Sequence, residues 1–249
     1  MLHTAGRITV IKNLILPKIT HLLISLPNPP RKHIKEIETI FYNYIWNSKT
    51  SRVAKSSIIQ SYEKGGLRMI CLDSFCKSLK ITWIRRFFND ACQSSWKDLI
   101  ISTFPNILNM TIVGRQILYQ LSKTCKNLFW KDVFLSFFEL RKCTDSELSI
   151  LSPIWFNESI CINNKYVFYK QWFLKGVHQI LHFFNNDGTI MKYEQFCNQY
   201  DIKPPFTHFL GIVDCIKKLR LNYDTEIILQ NIPYYPEFLW IIRKNKKSS

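Results

Sequence analysis

The sequence predicts a mainly α fold: a helical bundle, then a small α+β domain that opens on a β-hairpin. Three observations predict it. Apolar residues recur at helical spacing through the first half of the chain. The strongest breaks, Leu26-Pro27-Asn28-Pro29-Pro30 and Glu63-Lys64-Gly65-Gly66, fall between those stretches. Past Ser159 the pattern changes to two β-rich runs around Asn163-Asn164-Lys165. With 249 residues, 47% hydrophobic and 14% aromatic, the chain has material for a packed core and is too apolar for intrinsic disorder.

Gly6 to Leu26 reads as a helix with a kink at Pro17, whose ring has no N–H to continue the ladder. A second helix can start at Pro30, because the first turn of a helix leaves its N–H groups unpaired. Ile34, Ile37, Phe41, Tyr44 and Ile45 fall on one face of it, and Trp46-Asn47 end it. Ser51 to Ile59 reads as a short strand or turn, Glu63 to Gly66 as a turn, and Leu67 to Ile70 as extended. From Leu72 to Phe88 a helix is expected to bury Phe75, Leu79, Trp83 and Phe87 and to carry Lys77, Lys80 and Arg85 on another arc. Helices with gaps follow from Trp96 to Glu139, broken at Pro105-Asn106 and restarting near Gly114. Cys143 to Pro153 is polar and turn-rich, which places a boundary there and gives three segments, 1–95, 96–150 and 151–249.

In the last segment Ser159-Ile160-Cys161-Ile162 and Tyr166-Val167-Phe168-Tyr169 form the hairpin. Helices are predicted over Gln171–Phe184, Tyr193–Tyr200 and Phe206–Leu219, and Tyr234 to Ile242 runs into a basic tail. The stretch from Ile8 to Leu26 is the most apolar, but Lys12, Pro17, Lys18 and His21 interrupt it as a membrane span. The eight cysteines are scattered through apolar runs with no signal peptide before them. Buried free thiols in a reducing compartment follow, so the expected location is intracellular, nuclear or cytoplasmic, and not secreted.

The net charge of +16 points to a polyanionic partner. It is uneven: Met1–Asp90 holds 15 basic against 5 acidic residues, and the rest of the chain 19 against 13. Lys12, Lys18, Lys64, Arg68, Lys77, Lys80, Arg85 and Arg86 are the candidate nucleic-acid-binding set, interleaved with Tyr42, Trp46, Tyr62 and Trp83. Lysine and arginine serve phosphates, and aromatic faces can stack bases; core packing is the preferred reading of the aromatics.

Catalytic and metal constellations fail one by one. His178 and His182 are spaced to share a zinc ion, but Gln179 stands where a metalloprotease carries Glu, and two part-buried helix residues are the preferred reading. Cys71 and Cys76 have no nearby second pair. There is no nucleophile elbow and no phosphate loop. Glu36 with Glu38 and Asp145 with Glu147 read as solvated surface. No catalytic residue, metal, cofactor or small-molecule substrate is expected.

Several of these residues carry a family pattern. Gly6-Arg7-Ile8-Thr9-Val10-Ile11-Lys12-Asn13-Leu14 resembles the helix that follows the palm in LINE-type (non-LTR) retrotransposon reverse transcriptases. Leu26 to Pro30 resembles the family's proline break, Ile40 to Asn47 its F…F-x-W helix, Gly65-Gly66-Leu67 its G-G-L turn, and Leu79 to Arg86 its A-x-x-[LI]-x-W-[IV]-x-R helix. The resemblance is closest over Ala5–Asn89 and looser over Trp155–Tyr200, where Trp155-Phe156-Asn157, Lys175-Gly176-Val177 and Asp187-Gly188 look like the post-thumb region.

What the resemblance implies is a thumb-like domain that grips a primer–template duplex, followed by a connector and a post-thumb domain. Lys12, Lys18, Arg68, Lys80 and Arg86 would touch the backbone without reading sequence. The palm's aromatic-Ala-Asp-Asp signature, the endonuclease and the Cys/His zinc motif are all absent from the sequence. The expectation is therefore a truncated piece of an RNA-directed DNA polymerase, inactive alone. Its partners would be RNA–DNA hybrid or duplex and, in trans, the missing palm, with no membrane. The alternative is a non-enzymatic interaction or membrane-surface module that uses the basic amphipathic first helix.

Overall fold

The computed structural model of the chain describes residues 3–47, 50, 53–89, 94–144 and 148–219. It is mainly α with one two-stranded antiparallel sheet, as expected. The chain divides into two compact units, Met1–Asp90 with Cys125–Phe137, and Ala91–Thr124 with Phe138–Ser249. The stretch 143–153, expected as a boundary, has the second unit on both sides of it. The stretch Tyr234 to Ile242 and the basic tail that follows it lie outside the described residues.

The first unit begins with an unbroken helical run: α1 (Thr4–Val10), a π-helical stretch (Ile11–Ile15) and α2 (Leu16–Ser25). The widened turn falls where the kink is predicted. Pro17 cannot donate to the carbonyl four residues back and its ring crowds that carbonyl, and a π turn immediately before it absorbs the mismatch. By length and composition this 22-residue run could cross a membrane. It also sends Ile8, Ile11, Leu16 and Leu23 into the core of its unit, as a core helix does.

α3 (Arg31–Trp46) starts after Pro30, whose carbonyl accepts the His33 and Ile34 N–H groups. It stops at Asn47, which sits in the left-handed region at φ 56° as a C-terminal cap. Ile34, Phe41 and Ile45 are buried as expected, but Tyr44 is exposed and its neighbour Tyr42 takes the inner position. The segment expected as a strand or turn is instead the short helix α4 (Lys55–Ile59), which buries Ile58.

A 3₁₀ turn (Tyr62–Lys64) leads into Gly65-Gly66, and the chain then doubles back. Leu67 and Met69 donate to the Ile58 carbonyl and Arg68 to the Gln60 carbonyl, which holds 67–70 extended. On α5 (Leu72–Phe87) the buried stripe is Leu72, Cys76, Lys80, Ile84 and Phe87, one residue round from the predicted aromatic stripe; Phe75, Leu79 and Trp83 flank it half-buried.

The second unit contains α6 (Ser95–Thr103), a 3₁₀ segment (Pro105–Asn109), α7 (Gln116–Thr124) and the end of α8 (Leu128–Thr144). Buried Arg141 donates from Nη1 to the Met110 and Val113 carbonyls at 2.9 and 2.8 Å. Strands β1 (Cys161–Ile162) and β2 (Lys165–Tyr166) pair Cys161 with Tyr166 and Ile162 with Lys165. Asn163 and Asn164 both have positive φ, 51° and 59°, the type I′ geometry that matches strand twist. The loop is thus one residue shorter than the sequence suggested, with Lys165 in the strand.

The predicted helix over Gln171–Phe184 does not form as one element. α9 (Lys170–Leu174) ends at Gly176, whose φ of 88° favours glycine, and a 3₁₀ segment (Ile180–Phe183) follows. α10 (Tyr193–Tyr200) and α11 (Phe206–Lys218) complete the unit. Its core is aromatic: Trp172, Phe183 and Phe209 pack on Phe196 with centroid distances of 4.8–5.2 Å, Phe183 stacked and the other two tilted. Fully buried Trp155 donates its indole N–H to the Val177 carbonyl at 2.6 Å. Burying side chains of this size stabilises by roughly 1.5–3 kcal/mol each.

Cys92 lies outside the described residues. Of the other seven cysteines, all free thiols, only Cys76 and Cys125 are buried and Cys143 is exposed, so the expectation of buried thiols holds for those two alone.

Candidate nucleic-acid interface

Two of the eight candidate basic residues come together. Lys12, on the π-helical turn, is half-buried, and its ammonium is held below the usual lysine range by that burial and then by the Arg68 guanidinium. Arg68 is exposed, with backbone φ 53°, and its guanidinium carbon lies 4.9 Å from the centroid of the Tyr62 ring. Tyr62 is 60% exposed, so here the preference for core aromatics is overturned. A lysine and an arginine that raise each other's energy form a site whose natural complement is an anion. An anion such as a phosphate near the Lys12 ammonium would offset both its burial and the repulsion.

The placement of Arg68 follows from the turn before it. Gly65 takes φ 74°, and Gly66 passes so close to the Gln60 backbone that no Cβ fits. Lys64, exposed at the end of the 3₁₀ turn, precedes the two glycines, and Lys18 is exposed on α2. Arg85 and Arg86 are exposed near the end of α5, with Arg86 5.1 Å from the Trp83 ring centroid.

Lys77 is engaged with Asp73 at 2.7 Å, one turn earlier on the same helix, a pair of little net charge. Lys80 does not belong to the surface at all. It is fully buried, donating from Nζ to the Leu23 and Leu26 carbonyls at 2.5 Å each and lying 4.9 Å from the Phe129 ring centroid. Trp83 adds a third bond from its indole N–H to the Ile24 carbonyl at 2.8 Å. Together they close the C-terminal end of α2, whose last carbonyls have no partners within the helix. The resemblance implied a backbone contact for Lys80; its burial removes it from that role.

The sequence reading missed two basic–aromatic pairs. Arg7 lies 5.8 Å from the Tyr44 ring centroid and bonds its carbonyl, and Lys55 lies 4.6 Å from that of Tyr42. The pairs are separated by 37 and 13 positions in sequence, so only the tertiary fold brings them together.

His178 and His182 do not share a helix face. His182 caps the 3₁₀ segment, its Nδ1 accepting the N–H of His178 at 2.9 Å and of Gln179 at 3.4 Å. Among the described residues no group of three or more His, Cys, Asp or Glu is placed to hold a metal.

Burial, and then neighbouring His178, push His182 down to about 4 from an ordinary 6.5. The unfolded chain therefore binds a proton that the folded one refuses. The contribution is fully present above pH 6.5 and is lost as pH falls toward 4, a change of roughly 3 kcal/mol. His178, also lowered by burial, acts in the same direction. Urea midpoints measured from pH 7.5 to 4.5 should fall accordingly. A His182→Gln variant, whose amide oxygen can still accept the capping N–H, should flatten the curve; an unchanged slope would contradict this account.

No protein-family model matches the chain.

Proposed function

We propose that the first unit binds nucleic acid through its phosphate backbone, as the thumb-like part of a LINE-type reverse transcriptase, and that the chain has no polymerase activity of its own. The observation that carries this reading is the Lys12–Arg68 pair beside exposed Tyr62. Lys18, Lys64, Arg85 and Arg86 are exposed on the same unit, and the family motifs run through it in order. Backbone contact of this kind carries no sequence information, so hybrids and duplexes of unrelated sequence should bind alike.

Fluorescence anisotropy of the purified chain on an RNA–DNA hybrid, across a salt series, tests the proposal. Affinity is expected to fall linearly on a log–log plot, with a slope of about −0.9 per phosphate contact. Arg68→Ala and Lys12→Ala should each reduce that slope by about 1. A salt-independent affinity, or slopes that both substitutions leave intact, would sink the proposal; extension of a primed template would overturn its inactive half.

A second reading has its own observation. The helical run Thr4–Ser25 and the Leu26 that ends it leave Leu14, Leu22 and Leu26 between 47% and 60% exposed alongside Lys18, a pattern suited to an anionic lipid surface. Binding to acidic vesicles that survives excess duplex would favour it.

A further inference from the structure

The second unit holds a cavity of about 190 Å³ between the 3₁₀ segment Ile180–Phe183, the turn that follows it and the end of α10. Its size lies below the roughly 300 Å³ floor for pockets that enclose drug-sized ligands. It lies slightly above the roughly 150 Å³ of an engineered cavity that takes benzene. One ring system fits.

The lining sets the chemistry. Among the described residues, no lysine, arginine, aspartate or glutamate lines it. Phe184 and Met191 are its buried apolar members, while His182, Asn186, Gln199 and Tyr200 supply polar atoms. Because the His182 Nδ1 accepts two backbone N–H groups, the hydrogen-bond network assigns its ring proton to Nε2, a fixed donor. Tyr200 donates its hydroxyl proton to the His182 carbonyl at 3.1 Å and accepts from Gln199 Nε2 at 3.4 Å, which leaves one lone pair of its oxygen for a ligand. Burial pushes that phenol up to about 12, so both groups remain uncharged at neutral pH.

A phosphate or carboxylate would leave water here without meeting a countercharge, which is costly. The match is a neutral planar heterocycle with donors and acceptors on its edge: amides read that edge and aromatic rings cover its face. We propose that this cavity takes one unpaired nucleobase, presented either by a free nucleoside or by a single-stranded chain. The inference does not rest on backbone binding by the first unit, since its ligand needs no phosphate.

Saturation-transfer NMR of the full chain with each of the four ribonucleosides tests it. Saturation is expected to reach the base protons more strongly than the ribose protons for at least one of them. Asn186→Trp, a substitution at an exposed lining position, should fill the mouth and abolish the signal. Gln199→Ala should weaken binding roughly three- to tenfold, the loss of one hydrogen bond. Competition distinguishes the source. If an intact single-stranded oligonucleotide suppresses the signal and an abasic one does not, the base arrives on a chain; if neither suppresses it, the ligand is the free nucleoside. The proposal is overturned if no nucleoside shows base saturation, if Asn186→Trp leaves the signal unchanged, or if inorganic phosphate displaces the nucleoside.

Discussion

Lys80→Ala is expected to destabilise the first unit by about 4 kcal/mol without acting through nucleic acid. The substitution strips both donors from the Leu23 and Leu26 carbonyls, and an unmet buried polar group costs about 1–3 kcal/mol. It also removes an aliphatic stem that lies inside the core, fully buried on α5 between Cys76 and Ile84. Lys80→Met keeps the stem's bulk and should recover part of the loss. Urea denaturation monitored by tryptophan fluorescence measures both. The contrast is Arg68→Ala, which should leave the urea midpoint almost unchanged and lower the salt slope of hybrid binding. A Lys80→Met protein as stable as the parent, with a reduced salt slope, would return Lys80 to the surface and undo the structural assignment.

That contrast shows what a linear sequence reveals about a basic residue. Lys80 and Arg68 look alike in sequence: each stands beside apolar residues within a family motif. A clue to their difference was nevertheless present. Leu72, Cys76 and Ile84 form a period-four stripe on α5, and Lys80 occupies its missing member. The larger Phe75, Leu79 and Trp83 form a competing stripe one position round the helix, and residue size favoured the wrong one.

The helices bounded by proline and glycine signals were legible because their ends are local chemistry. Pro30 opens α3, and Asn163-Asn164 turn the hairpin. The run from Gln171 to Phe184 misled because its apolar spacing outweighed Gly176, where the left-handed backbone ends α9. The site itself was only half legible. Lys12 and Arg68 were both named as candidates, but their approach across 56 positions depends on how the extended 67–70 segment pairs back onto α4.

Gly66→Ala is expected to be the more damaging of two substitutions at neighbouring glycines, and for a reason its neighbour does not share. A Cβ on Gly66 would stand 2.1 Å from the Gln60 carbonyl oxygen and 2.7 Å from that of Ser57. Both obstacles are backbone and cannot rotate away. To make room, 66–69 must shift, at the expense of the hydrogen bonds from Leu67 and Met69 to Ile58 and from Arg68 to Gln60. Three bonds at roughly 1 kcal/mol each, with the overpacking strain added, put the loss at about 4–5 kcal/mol.

Gly65, by contrast, has open space around its Cβ direction and needs glycine only for its φ of 74°. Gly65→Ala should cost about 1 kcal/mol, and Gly65→Asn less, since asparagine tolerates the left-handed region. Thermal denaturation of the three variants measures the order. In whatever fraction of Gly66→Ala folds, Arg68 should no longer sit over Tyr62, so its hybrid binding should show the reduced salt slope of Arg68→Ala. If Gly66→Ala proves as stable as Gly65→Asn and binds with the parental slope, the close approach at Gln60 does not set the position of Arg68. The Lys12–Arg68 pair would then have to be held by the contacts of Arg68 with Tyr62 alone.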